Sequence, residues 1–220
     1  LKPIKPKNLH GRRPSPLQNR MTPDGKIEAV SARGLFTGNR GVLHGCDKRL
    51  KPWLWRHKNW VLCVLEFKGR HRELMTPKRW TELFFLDEAV ALAAGHRPCA
   101  ECRRQAFNAW MDAMSAGAGI ARPSAPDLDK RLHSERAVPG ARAMQTHRAR
   151  LEDLPTGAFV LAPETGAPAL VLEDRLLPWS HTGYGAAMRR AAGPVVLLTP
   201  PTSVAALQGG YAPLLHPSAA

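Results

Sequence analysis

EAVALAAGHRPCAECRR, residues 88–104, is an alanine-rich helical stretch that stops at Gly95 and turns through Arg97-Pro98 into Cys99 and Cys102, with Arg103 and Arg104 directly after. Two cysteines two residues apart, at a turn that opens a helix, bring both sulfurs within reach of one tetrahedral ion, and thiolate is the ligand Zn²⁺ prefers. The stretch therefore reads as half of a zinc site. The plainer reading is a pair of reduced structural thiols, but a packing cysteine needs neither the helix stop nor the rigidifying proline.

Upstream, the sequence is dominated by charge. Residues 1–80 hold 19 of the 32 Lys and Arg but only 5 of the 18 Asp and Glu, so the whole formal excess of +14 sits there. Nucleic-acid phosphate is the usual partner of so one-sided a surface, with solubility alone as the bland alternative. Residues 1–27, proline-rich with seven basic residues, read as a flexible basic arm. The glycine-punctuated segment IEAVSARGLFTGNRGVLHG reads as short strands joined by tight cationic loops bearing Arg33 and Arg40. Trp53, Trp55 and Trp60 follow among Arg49, Lys51, Arg56, His57 and Lys58, a mixture that suits base stacking beside phosphate contacts or ordinary core packing. WVLCVLEFKGRHRELM predicts a hairpin turning at Lys68-Gly69, with Arg70 on the return arm, and the apolar spacing predicts a helix over 81–94.

Downstream, Arg103 to Met114 reads as a second amphipathic helix with Phe107, Trp110 and Met114 facing inward, and 115–126 as a linker. Residues 125–137 read as a short helix with Asp127 near its start, and 138–150 carry arginines without a pattern. The tail is strand-rich, with a hairpin around Glu164-Thr165-Gly166, a strand in PVVLL and a helix from Thr202 to Leu207. No run of 18 apolar residues exists, and the first residues lack the apolar core and cleavage site of a secretory signal, so the expectation is a cytoplasmic protein with no membrane partner.

The run from Glu88 to Arg103 resembles the metal-binding domain of the Ada family of DNA alkylation-repair proteins, in which an alanine-rich helix ends in glycine before Arg-Pro-Cys, two residues, Cys and a basic residue. Arg33-Gly34-Leu35-Phe36 looks like that family's upstream strand. The likeness covers 31–105 and is specific over 82–104. It implies zinc as cofactor, DNA as partner, and an α+β fold. In this reading a basic arm (1–27) precedes an Ada-like zinc module (28–114), a linker with a short helix (115–150) and a smaller strand-rich C-terminal module (151–220). Where the family has its methyl-accepting cysteine and that residue's partner, this chain has Thr37 and Gly41. A threonine hydroxyl is neither a good zinc ligand nor a low-pKa nucleophile, so methyl transfer is not expected. The remaining ligands must come from His44, Cys46 or Cys63. The first two rank ahead because the resemblance places their loop beside the CxxC, whereas Cys63 in an apolar strand is as readily a core thiol. The expected phosphate contacts are Arg33, Arg40, Arg56, Lys68, Arg70, Arg97, Arg103 and Arg104, with Trp53 or Trp55 stacking on bases.

Two catalytic alternatives remain open. His71-Arg72-Glu73 and Pro98-Cys99-Ala100-Glu101-Cys102 fit the HxE and PCxxC signature of zinc nucleobase deaminases, with Glu73 as acid/base, although here the first motif lies on a hairpin arm and the second follows a helix. Asp129, His133 and Glu135 could serve a metal-assisted nuclease, with Asp129 and His133 on one helix face. Such pairs are more often surface salt bridges. His181 and Tyr184 lie in a glycine-flanked loop of the kind that carries function, with no partner evident in the sequence.

Overall fold

The structure, a computed structural model, describes residues 16–70 and 73–220, so most of the basic arm and His71 lie outside the described residues. It is an α+β arrangement with a strand-rich C-terminal part. The first sheet takes β1 (Arg20–Met21), β2 (Ile27–Glu28), β3 (Phe36–Asn39), β4 (Val61–Cys63) and β5 (Leu83–Phe85). After α1 (Glu88–Ala93) it is completed by β6 (Arg97–Pro98), in the order β2-β1-β5-β3-β4-β6. Two helices follow, α2 (Arg104–Ala118) and α3 (Ala125–Arg136).

The second sheet holds β7 (His147–Arg150), β8 (Phe159–Leu161), β9 (Pro168–Val171), β10 (Arg175–Ser180), β11 (Gly183–Tyr184), β12 (Met188–Arg189) and β13 (Pro194–Leu197). Its order is β11-β10-β9-β8-β13-β7 with β12 beside β10, and α4 (Pro201–Gln208) closes the set.

Three expectations change. The helix expected over 81–94 is a strand followed by a short helix: Leu83–Phe85 pairs with β3, and Asp87 starts α1 by accepting from the Val90 amide at 3.0 Å. Side-chain capping of this kind favours a new helix start and ends the extended segment. The expected hairpin after Trp60 has no return strand among the described residues. β4 instead lies between antiparallel β3 and parallel β6, which supply its backbone hydrogen bonds. The turn itself is present at Lys68 and Gly69, both with positive φ. Residues 115–118, read as linker, continue α2, which ends at the left-handed Gly119. That extra turn packs on α4 backbone to backbone: a Cβ at Gly117 would stand 2.0 Å from the Ala205 oxygen, and one at Gly209 would stand 1.9 Å from the Ala113 oxygen.

Two apolar cores result, and the second sheet contributes to both. Met21, Phe36, Leu62 and Phe85 pack with Phe159, Leu170 and Leu198 in one. In the other, Leu92, Trp110 and Leu128 pack with Val160, Val171 and Val204. Helix α1 is buried throughout, including Glu88. Its two leading carboxylates gather the C-terminal stretch: Asp87 accepts from the Tyr184 hydroxyl at 2.6 Å and the His216 amide at 3.0 Å. Glu88 accepts from the Tyr211 hydroxyl at 2.6 Å and the Leu214 amide at 3.0 Å. Burial pushes the Asp87 carboxyl above its usual range despite these bonds.

Candidate metal centre

Gly95, at φ +81, ends α1 in a conformation open to glycine, and a Cβ there would stand 2.5 Å from the Arg136 side chain. From that turn the chain enters β6, whose parallel pairing with β4 sets Arg97 beside Val61 and Pro98 beside Leu62. The register continues one step further, with the Cys99 amide donating to the Leu62 oxygen at 2.9 Å. Cys63 thus comes level with the CxxC turn. The sulfurs of Cys63, Cys99 and Cys102 all lie within 4.8 Å of one another, close enough to hold one metal ion. All three thiols are free and half-buried.

The protonation pattern fits such a group. Hydrogen bonds from the Cys102 and Cys63 side chains, with backbone N–H groups including that of Glu101 at 3.4 Å, hold the Cys99 thiol down to about 2. Those same contacts with Cys102 and Cys99, together with burial, push Cys63 up. A thiolate that gathers its neighbours' protons marks a place where one thiophilic cation can replace those protons.

His44 and Cys46, ranked ahead of Cys63 from the sequence, are not in this group. The His44 ring is buried, with Nδ1 2.6 Å from the Thr81 hydroxyl and Nε2 3.2 Å from the Thr76 carbonyl. Cys46 is exposed. Thr37, at the position the Ada resemblance gives to a cysteine, sits directly across the β3–β4 pairing from Cys63 and donates to the Leu83 oxygen at 3.1 Å. The register that pairs β4 with β6 was the missing information.

The arginines divide. Arg40 is fully buried and donates to the Gly25 and Ala94 oxygens at 3.1 and 2.7 Å, with its guanidinium carbon 4.0 Å from the Trp60 ring centroid. Burial lowers its pKa to about 9, which leaves it charged at neutral pH. Arg97 makes a buried two-pronged ion pair with Asp129 at 2.8 Å on each prong. Arg103 does the same with Glu88 at 2.7 and 3.0 Å. These three are therefore not available as the phosphate contacts expected of them. Arg33, Arg56, Lys68, Arg70 and Arg104 are exposed. Trp53 lies under Arg56 at 4.9 Å, whereas Trp55 packs on Trp60 at 5.7 Å and on His133 at 5.5 Å.

The catalytic candidates do not converge. Asp129 faces Arg97, His133 meets Trp55 edge-on, and Glu135 accepts from the Thr202 amide and hydroxyl at the start of α4. Glu73 is exposed, bridges to Lys48 at 2.5 Å and does not line the cleft beside the cysteines. His181 bonds Glu28 at 2.8 Å.

That cleft is a feature the sequence reading missed. It has a volume of about 460 Å³, and Cys63, Cys99 and Cys102 form part of its wall. Asn39, Phe67, Arg70, Trp80, Glu82 and Phe84 face it from elsewhere. Glu82 is buried and accepts the Met75 amide at 2.8 Å.

Fold and site together define an α+β protein with a three-cysteine group able to hold a metal ion. Compared with protein families, with curated proteins and with solved structures, the chain matches none of them. Among the described residues, no helix is long and apolar enough to cross a membrane.

Proposed function

We propose that the protein is a zinc-containing DNA-binding protein of DNA repair or processing, in which the ion fixes the geometry of an Ada-like elbow. The single observation that carries this reading is the gathering of Cys63, Cys99 and Cys102 within 4.8 Å. A tetrahedral zinc with bonds of about 2.3 Å sets its sulfurs about 3.8 Å apart, which a small closure of this group reaches. Three thiolates are soft donors that select zinc over magnesium or calcium. When bound, the ion ties β4, in the first sheet, to the turn that starts α2. It thereby steadies the loops on either side.

Those loops carry the exposed cations. Lys68 and Arg70 follow β4, Arg104 opens α2 two residues after Cys102, and Arg33 and Arg56 lie on the loops flanking β3 and preceding β4. Trp53 offers a partly exposed indole beside Arg56 for a base to stack on. Each phosphate neutralised releases condensed cation, so five such contacts give a log–log salt slope of about −4.5 on duplex DNA. With threonine at position 37, the chain binds without accepting a methyl group.

The test is metal content per chain, followed by duplex binding against salt. About one zinc per chain and a steep slope support the proposal, and a flat slope with no bound metal overturns it. Competition by single strands and RNA identifies the preferred nucleic acid.

A further inference from the structure

Sulfurs close enough to share an ion are also close enough to be joined to one another, and the backbone around them singles out one pair. The Cys99 carbonyl accepts the Arg103 amide at 3.1 Å, so residues 99–103 already form one hydrogen-bonded helical turn. Residues three apart on such a turn share a side, with Cβ atoms about 5–6 Å from each other. A disulfide needs Cα atoms about 4.4–6.8 Å apart and Cβ atoms about 3.5–4.5 Å apart, so a small tightening of this turn brings Cys99 and Cys102 into range. Cys63 is fixed from outside the turn. It pairs with Thr37 across β3 and β4, and the Leu62 carbonyl before it accepts the Cys99 amide at 2.9 Å.

All three sulfurs lie within 4.8 Å of one another, and all three residues are half-buried on the wall of one cleft, so a small oxidant reaches them. We propose that hydrogen peroxide joins Cys99 to Cys102 in a reversible disulfide, leaves Cys63 as a thiol, and thereby releases the metal ion and loosens the DNA-binding loops. The inference adds regulation to the proposed function and rests on that reading for the ion and the duplex.

One sulfur attacks a peroxide oxygen, the O–O bond breaks, and a sulfenic acid and one water form. The second sulfur attacks the first, the S–O bond breaks, and the S–S bond forms as a second water leaves. Two electrons pass from the two sulfurs to the peroxide. The two protons carried off in the waters come from the thiols, or from solvent where metal has already displaced them. Thiolate is the sulfur form that binds metal, so the turn gives up two of its three sulfur ligands at once, whichever group completes the coordination. The tie between β4 and the turn that opens α2 goes with them, and Lys68 and Arg70 lose their fixed spacing from Arg104.

The experiment uses the full chain with Cys46→Ser, which removes the exposed cysteine outside the group and leaves three thiols. Loaded with zinc and treated with excess hydrogen peroxide, it is expected to release its zinc, as read with a chromogenic chelator. The thiol count of the unfolded chain falls from three to one. The peptide holding both Cys99 and Cys102 loses the mass of two hydrogens. Duplex affinity falls about tenfold, as the phosphate contacts lose their common frame. Dithiothreitol with zinc restores thiols, metal and affinity. Cys63→Ser, which keeps the CxxC turn without the third sulfur, forms the same disulfide, so the couple is read separately from the ion.

Thiols that survive peroxide with zinc still bound overturn this inference and leave the zinc-dependent DNA-binding reading standing. So do a bridge from Cys63 and oxidation to sulfinic acid without a bridge. A disulfide that forms with duplex affinity unchanged overturns the regulation, and with it the ion's role in steadying the loops. A reduced chain that takes up no zinc, or that binds no duplex, overturns the earlier reading and, with nothing to release, this inference too.

Discussion

The cations beneath the CxxC elbow and those on the loops around it have the same chemistry and opposite surroundings. Beneath the elbow, Arg97 and Arg103 face the carboxylates of Asp129 and Glu88. Arg40 and Arg136 both lie over the Trp60 indole, at 4.0 and 3.9 Å, with Arg136 also donating to the Gly95 and Lys58 carbonyls. On the loops, Arg56, Lys68 and Arg70 are exposed, and Arg70 makes an open ion pair with Glu101 at 3.1 Å. The lesson is that formal charge is a poor measure of the field a surface presents. Several guanidiniums counted toward +14 act as internal braces, because a planar group with five donors can satisfy carboxylates and backbone carbonyls together.

The contrast can be broken at several points. The largest effect is expected at the elbow's sulfurs: Cys63→Ser or Cys102→Ser abolishes bound metal, measured by elemental analysis, while Cys46→Ser leaves it unchanged. For a structural thiolate site the lost binding energy is of order 10 kcal/mol, so a strong chelator lowers the melting temperature of the parent and not of the variants.

Next is Arg97→Ala, which strands Asp129 in the interior and costs about 3–5 kcal/mol in urea unfolding. Arg97→Met with Asp129→Leu, which removes both charges, recovers most of that loss. On the loops, Arg56→Ala with Arg70→Ala changes stability by about 0.5 kcal/mol or less. The same pair makes the salt slope of duplex binding shallower by about 1.8. An equal stability loss at both places would end the distinction.

The last effect concerns pH. Burial, aided by Arg40 and Arg136, pushes His96 well below its usual range, so the folded protein holds it neutral between Trp60 and Phe85. Below pH about 6.5 the unfolded chain takes a proton that the folded one refuses. Stability therefore falls as the pH drops, by up to about 1.4 kcal/mol per pH unit. His96→Phe flattens that fall, as read from melting temperatures at pH 7.5 and 5.5.

Much of the elbow could be read in advance because its signals are local. A glycine stops α1, a proline enters β6, and two cysteines sit at fixed spacing before an amphipathic helix. The hairpin at Gly166 was legible for the same reason: turn residues between two apolar runs, with β8 and β9 pairing across it. What failed was non-local. Leu83–Phe85 continues the apolar spacing of α1 and reads as helix until its pairing with β3 is known. Cys63 looks like any thiol in an apolar run, and only the β4–β6 register makes it the third member of the group. Arg97 and Asp129 are 32 residues apart, and nothing near either announces the pair.

The carboxylates that open α1 set an order on how this chain acquires its shape. Glu88 meets Tyr211 across 123 residues, and Asp87 meets His216 across 129. As the chain emerges from the ribosome, these two acids are made long before the groups that neutralise their demand for hydrogen bonds. Such distant pairings form slowly because a long loop must close first. Arg103 can pair with Glu88 early, but until Tyr184 and His216 arrive Asp87 has the Val90 amide alone, so burying the helix that leads to the cysteines strands one carboxylate and the sulfur-bearing turn is expected to settle late in folding.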